Sequence, residues 1–277
     1  MAALLAFASS MVWGIGDFYG GVLSRRRDAI AVVVAMQTFG LITVLLWSLA
    51  TNAWEIGPFM WSGLAAGISG SLGLMAFYRA LAIGTMGIVS PIAALGVVVP
   101  LMYGLTRGEQ PSTLQWLAIA IAILGVLAAS GPELSGGASP RPLILASIAA
   151  AMFGVALAFM AAGASNSGGS PTMTVLTMRV VQVAIGSVLW VRWRGFGGLT
   201  MRDLPLAALT GVFDVGANLL YSVAAALGPV TIVAVLGSFP PVATALLGRI
   251  LLHERLKPIQ YAGIGLALLG AAGINAG

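Results

Sequence analysis

The sequence predicts an all-α integral membrane protein, ten transmembrane helices arranged as two five-helix inverted repeats around a central cavity. Three observations carry this reading. Only 8% of the 277 residues are charged, and the mean hydropathy is +1.02. Apolar runs long enough to cross a bilayer, each of about 20 residues, fill almost the whole chain. Motifs of the first half return in the second at an offset that grows only from 140 (Trp13 to Phe153) to 145 (Gly125 to Gly270).

The charge deficit decides the class. A soluble domain carries roughly 25% charged residues, and a water-facing surface cannot be built from a third of that. Glycine is abundant, at 37 residues, but follows no three-residue period, which excludes a collagen-like fibre. In apolar helices glycine lets backbones approach closely. The net charge of +5 and a pI near 10.2 do not indicate a nucleic-acid partner, because the basic residues sit in short clusters between apolar runs. With no cysteine, disulfides and thiolate metal sites are excluded, and no cofactor is expected. The apolar N-terminus lacks a basic segment before it; Arg25, Arg26 and Arg27 follow it, so the first span is read as retained.

The ten spans are placed at 2–22, 29–50, 58–82, 87–105, 113–130, 142–163, 172–191, 204–226, 230–252 and 258–276. A Gly/Pro/Ser-rich linker at 132–141 divides the chain into a first five-span repeat, 1–131, and a second, 142–277. Across that division Trp13-Gly14 matches Phe153-Gly154, and Met36-Gln37 matches Met178-Arg179. The segment Gly108-Glu109-Gln110-Pro111 through Gln115-Trp116 matches His253-Glu254-Arg255-Leu256 through Gln260-Tyr261. Five is odd, so the second copy enters the membrane from the opposite side, as in secondary transporters whose sites lie between the repeats near the midplane. Loops after odd-numbered spans hold Arg25, Arg26, Arg27, Arg79, Arg141, Arg192, Arg194, Arg202, Arg249, Arg255 and Lys257; the opposite side holds Arg107 alone. This asymmetry predicts that both termini lie outside the cytoplasm of a multi-pass protein of the inner (plasma) membrane.

Polar residues within spans mark the candidate site. Ser10, Trp13 and Asp17 share one face of span 1. Gln37 lies in span 2, Tyr78 near the inner end of span 3, and Arg179 and Gln182 in span 7. Span 8 carries Asp214, Asn218 and Tyr221 on one face. A charge on a lipid-facing helix centre costs about 2.5–3.5 kcal/mol, so these groups are expected to face inward. Arg179 and Asp214 differ in depth by only about 5 Å at 1.5 Å per residue, within reach of a buried ion pair. Such a pair either joins spans 7 and 8 or binds substrate. Asp17 either pairs with Arg25 or Arg26 or serves transport. Spans 1, 3, 6 and 8, with the inner faces of 2 and 7, are expected to enclose the cavity, and spans 5 and 10 to stand outside it. Prolines 91, 100, 240 and 241 interrupt spans 4 and 9 and free backbone groups for kinks. Glu109 and Glu254, beside Arg107 and Arg255, read as caps or surface pairs.

These motifs also carry a resemblance. Trp13-Gly14, and Pro241 followed thirteen residues later by Glu254-Arg255-Leu256, then Gln260 and Gly263, resemble the EamA-type families of the drug/metabolite transporter superfamily. The first-half signature departs from the pattern, with Gly96 at the counterpart of Pro241 and Gln110-Pro111 after Glu109. The resemblance implies an inverted-repeat bundle and export of metabolites such as amino acids; many relatives have cytoplasmic termini, the reverse of the charge count.

The leading expectation is a secondary exporter of small metabolites, amino acids or related zwitterions among them, acting as a monomer in the lipid bilayer by alternating access. Trp13, Gln37, Tyr78, Arg179, Asp214, Asn218 and Tyr221 are the expected substrate-binding residues. The alternative is a proton-coupled exporter of lipophilic cations, with Asp17 or Asp214 exchanging the proton. An enzyme is not expected. Gly67-Ile68-Ser69-Gly70 matches a rhomboid-type nucleophile motif, but His253, the one histidine, lies about 15–20 Å away in depth.

Overall fold

In a bilayer every backbone amide needs a partner inside the protein, so each apolar run closes its hydrogen bonds along a helix. The computed structural model describes residues 1–84, 89, 92–129, 140–193, 198–251 and 257–276. The first repeat contains α1 (Ala2–Ser24), α2 (Ala29–Ala50), α3 (Phe59–Ile83), α4 (Val98–Thr106) and α5 (Thr113–Ala129). The second contains α6 (Pro140–Ser165), α7 (Pro171–Trp193), α8 (Leu204–Leu227), α9 (Val230–Gly237), α10 (Pro240–Leu251) and α11 (Pro258–Ala276). A 3-10 turn, Leu95–Val97, leads into α4, and α9 with α10 forms one interrupted span. Among the described residues, seven helical segments are long and apolar enough to cross a membrane; Ile92–Thr106, Thr113–Ala129 and Pro258–Ile274 are shorter apolar helices that complete ten. The expected spans agree with these helices in order and number. Pro91, the 132–139 part of the linker, and the segment holding His253, Glu254 and Arg255 lie outside the described residues.

Polar side chains at the membrane ends close the helix termini. Asp28 accepts from the amides of Ile30 (2.9 Å) and Ala31 (3.2 Å) to start α2. Ser112 and Gln115 form a reciprocal capping box before α5: the Ser112 amide donates to the Gln115 side chain, and the Gln115 amide donates to the Ser112 hydroxyl. Gln260, the repeat equivalent of Gln115, accepts from the Lys257 amide at the start of α11 (2.9 Å). Glu109 does something the sequence did not disclose. Its carboxylate reaches across the repeats and accepts from the amides of Val230 (2.7 Å) and Thr231 (2.8 Å), capping α9. The negative charge suits the positive end of that helix.

The helices pair reciprocally between repeats. The first spans pack on the third spans of the other copy, α1 on α8 and α6 on α3; the second spans meet as α2 and α7, the fourth as α4 and α9, the fifth as α5 and α11. Such exchange is what two copies related by a two-fold axis produce. Small residues make the contacts possible. A Cβ on Gly125, Gly263 or Gly270 would collide with backbone nitrogens of the facing fifth span, so α5 and α11 touch main chain to main chain. They stand away from the cavity.

Two loops that follow odd-numbered spans meet on one face of the bundle. Arg27, after α1, lies 2.9 Å from Asp203, before α8. The Thr200 amide first, then the Thr200 hydroxyl and Arg27, hold the Asp203 carboxyl below its usual range.

Gly263→Leu is expected to force α5 and α11 apart at a cost of roughly 1–3 kcal/mol, seen as a lower melting temperature. The Asp203 clasp should show a signed pH dependence. Its folded pKa is depressed, so its stabilisation is complete above about pH 4 and disappears as pH falls through the folded value. The melting-temperature gap between wild type and Asp203→Asn should therefore close on acidification.

Candidate functional site

A cavity of about 150 Å³ lies between the repeats. Its walls come from α1, α3, α6, α7 and α8, and also from the two fourth spans: Ala93 to Val97, around the 3-10 turn that leads into α4, and Gly237 to Pro241, at the break between α9 and α10. The expected enclosure is corrected here. Spans 4 and 9 line the space, and no residue of α2 does. The reason is the broken backbone: where α9 ends at Gly237 and α10 begins at Pro240, the chain is thin enough to border a void. The hydroxyl of Thr244 donates to the carbonyls of Pro240 (2.9 Å) and Gly14 (3.2 Å), tying this break to α1.

The repeated aromatic-Gly dipeptide follows from the same geometry. A Cβ on Gly14 would collide with the α9–α10 break at Pro240 and Ala243, and one on Gly154 with the carbonyl of Gly96 at the break before α4. Each glycine lets a first span press on the other repeat's broken span, and each preceding aromatic lines the cavity. Trp13 packs against Tyr221 with the rings tilted by 45° and centroids 5.6 Å apart, and Phe153 meets Phe77 edge to face at the same separation. These two pairs are repeat equivalents.

The polar cluster is built around Arg179. Its side chain is 1% exposed and runs past Gly40 of α2. One terminal nitrogen donates to Gln37 and, at 3.1 Å, to Gln182; the other lies 2.5 Å from the Asp214 carboxylate. Asn218 donates to the Asp214 backbone carbonyl (2.5 Å) and to its carboxylate (3.4 Å). A buried guanidinium needs both a counter-charge and hydrogen-bond acceptors, and this arrangement supplies them.

The named residues divide accordingly. Trp13, Asp17, Arg179, Asp214 and Asn218 line the cavity together. Gln37, Tyr78 and Tyr221 do not. Gln37 holds Arg179 from behind, Tyr78 is fully buried against Gly20 of α1, and Tyr221 supports Trp13 from the far side. Asp17 is not paired with Arg25 or Arg26, which are exposed; it has no ion-pair partner among the described residues. Ser69 donates to the Ala65 carbonyl within its own helix (2.7 Å). His253, the one histidine such a motif could call on and expected to lie too far away, is outside the described residues.

A model of the EamA-like transporter family matches residues 1–131 and 141–276. The chain belongs to that family. It is a membrane transporter of the drug/metabolite superfamily. One solved structure, described only as a crystal structure of a protein, superposes on this EamA-like chain with a TM-score of 0.80 at 16% identity, covering 99% of this chain and 96% of that one. At that identity the likeness is one of fold. A search of curated proteins finds no match.

Within the EamA-like bundle, the Arg179–Asp214 pair has a measurable consequence. Asp214→Leu should lower stability by about 3–5 kcal/mol, because it leaves a buried cation without its counter-charge. The double variant Arg179→Met/Asp214→Leu should recover most of that loss, read by thermal melting in the same detergent.

Proposed function

We propose that this chain exports small metabolites, amino acids and related zwitterions among them, by alternating access through the cavity between its repeats. The observation that carries the reading is the position of the cavity at the irregular points of both fourth spans, the 3-10 turn at Leu95–Val97 and the break between α9 and α10. Backbone that departs from a regular α-helix changes its course at lower cost than a continuous one, so these two points supply hinges on either side of one central site. At about 150 Å³ the cavity is of a size for a compact solute. Its walls combine charged and polar side chains with aromatic rings. Outward transport is the direction the family resemblance implies.

Reconstituted protein is expected to exchange radiolabelled amino acids across liposome membranes above the rate of protein-free vesicles. Ala156→Phe, which fills the cavity, should remove most of that flux while the protein still folds. Flux unchanged by this substitution would place the transport path elsewhere.

The Lys/Arg asymmetry supports both termini lying outside the cytoplasm. The chain has no cysteine, so single reporters are clean. Ile56→Cys should react with a membrane-impermeant maleimide on intact cells, and Arg26→Cys only after permeabilisation. The opposite pattern would reverse the orientation.

A further inference from the structure

Three charged side chains line the cavity among the described residues: Asp17, Arg179 and Asp214. Two of them are spent on each other. The Arg179 terminal nitrogens point to Gln37, Gln182 and Asp214. Its Nε has no hydrogen-bond partner but is sealed from solvent, and the side chain is 1% exposed, so the guanidinium is committed to these neighbours and shielded from an incoming carboxylate. Asp17 is in the opposite state. It borders the cavity and has no ion-pair partner among the described residues.

The surroundings of Asp17 match that imbalance. Trp13 lies one helical turn before it, on the same face of α1, and also lines the cavity. An indole face attracts a cation, more strongly where water is excluded. Phe77 and Phe153 line the same space, as do Met160 and Met178, and offer soft apolar surface to the rest of a solute. A carboxylate in such a place is costly until a positive charge joins it.

We infer that the cavity reads the positive charge of its solute: an ammonium group on a compact apolar or aromatic body, held by Asp17 with Trp13 beside it. The solute's carboxylate, where it has one, finds no paired contact. Asp17 and Trp13 are thus specificity-determining residues, and the Arg179–Asp214 pair holds the wall together. This rests on the reading that the cavity is the transport site.

The test compares three probes that share a phenyl body and differ in charge: 2-phenylethylamine, phenylalanine and 3-phenylpropionate. Binding to purified wild-type protein is measured by titration calorimetry at fixed pH and ionic strength. The amine should bind about tenfold or more tightly than the carboxylate, as expected for a charge-assisted contact, and phenylalanine no more tightly than the amine. Asp17→Asn should lose about tenfold or more of amine affinity, and Trp13→Leu several-fold. Equal binding of 3-phenylpropionate, tighter binding of phenylalanine than of the amine, amine affinity unchanged in Asp17→Asn, or no binding of the amine at all would each overturn the inference. The wild-type comparison needs no variant to fold. Liposome flux separates the two levels: flux of some solute without amine recognition sinks this inference alone, and absence of flux for every solute tested sinks the transport reading.

Discussion

A guanidinium buried in a bilayer-spanning bundle is the constraint around which the centre of this protein is organised. Arg179 cannot be left unpaired in a medium of low dielectric constant, and three helices answer for it: α2 through Gln37, α7 itself through Gln182, and α8 through Asp214. Removing any one partner leaves polar groups buried without satisfaction. Gln37 and Arg179 are repeat equivalents that touch each other, which places both beside the axis relating the copies. One of these equivalent positions carries a neutral amide and the other a cation, and their contact gives the two-copy frame a polarised centre. With its charge countered by Asp214, the cation supports the wall, and among the described residues Asp17 remains the lining charge without an ion-pair partner.

The second organising element is close approach. Backbones touch where α1 and α6 meet the broken spans, and again where α5 meets α11. In hydrocarbon the driving force for association is packing and hydrogen bonding, so such seams of glycine and alanine do what large apolar side chains do in a soluble core. Gly14 and Gly154 have the further effect of bringing the aromatic residue before each of them to the cavity edge.

Much of this was legible in the sequence, and the division follows physical scale. Helix number and position rest on hydropathy and length, which twenty-residue windows report well, and the two-copy plan on motif order and offset. The meeting of Arg179 and Asp214 was legible as matched depth. What the sequence concealed depends on rotation about helix axes and on long-range reach. Tyr78 and Tyr221 belong to polar or aromatic stripes, yet a turn about the helix separates a residue that lines a cavity from one packed behind it. The cap that Glu109 places on α9 joins residues 121 positions apart, and no local pattern encodes it. The cavity-lining role of spans 4 and 9 was signalled by their prolines; a proline marks a break without saying what faces it.

The reciprocal pairing also bears on how the protein is made. Nearly every first-repeat helix finds its most extensive partner in the second repeat, α1 with α8, α3 with α6, α4 with α6 and α9, α5 with α11. Helices enter the membrane in order of synthesis, so the first five must wait in lipid with their glycine seams and Gln37 facing no partner. The two copies share one plan in sequence and assemble as one body in space. The vulnerable interval in biogenesis is the time between completion of span 5 and arrival of span 8, when half-built bundles from neighbouring ribosomes present complementary surfaces to each other.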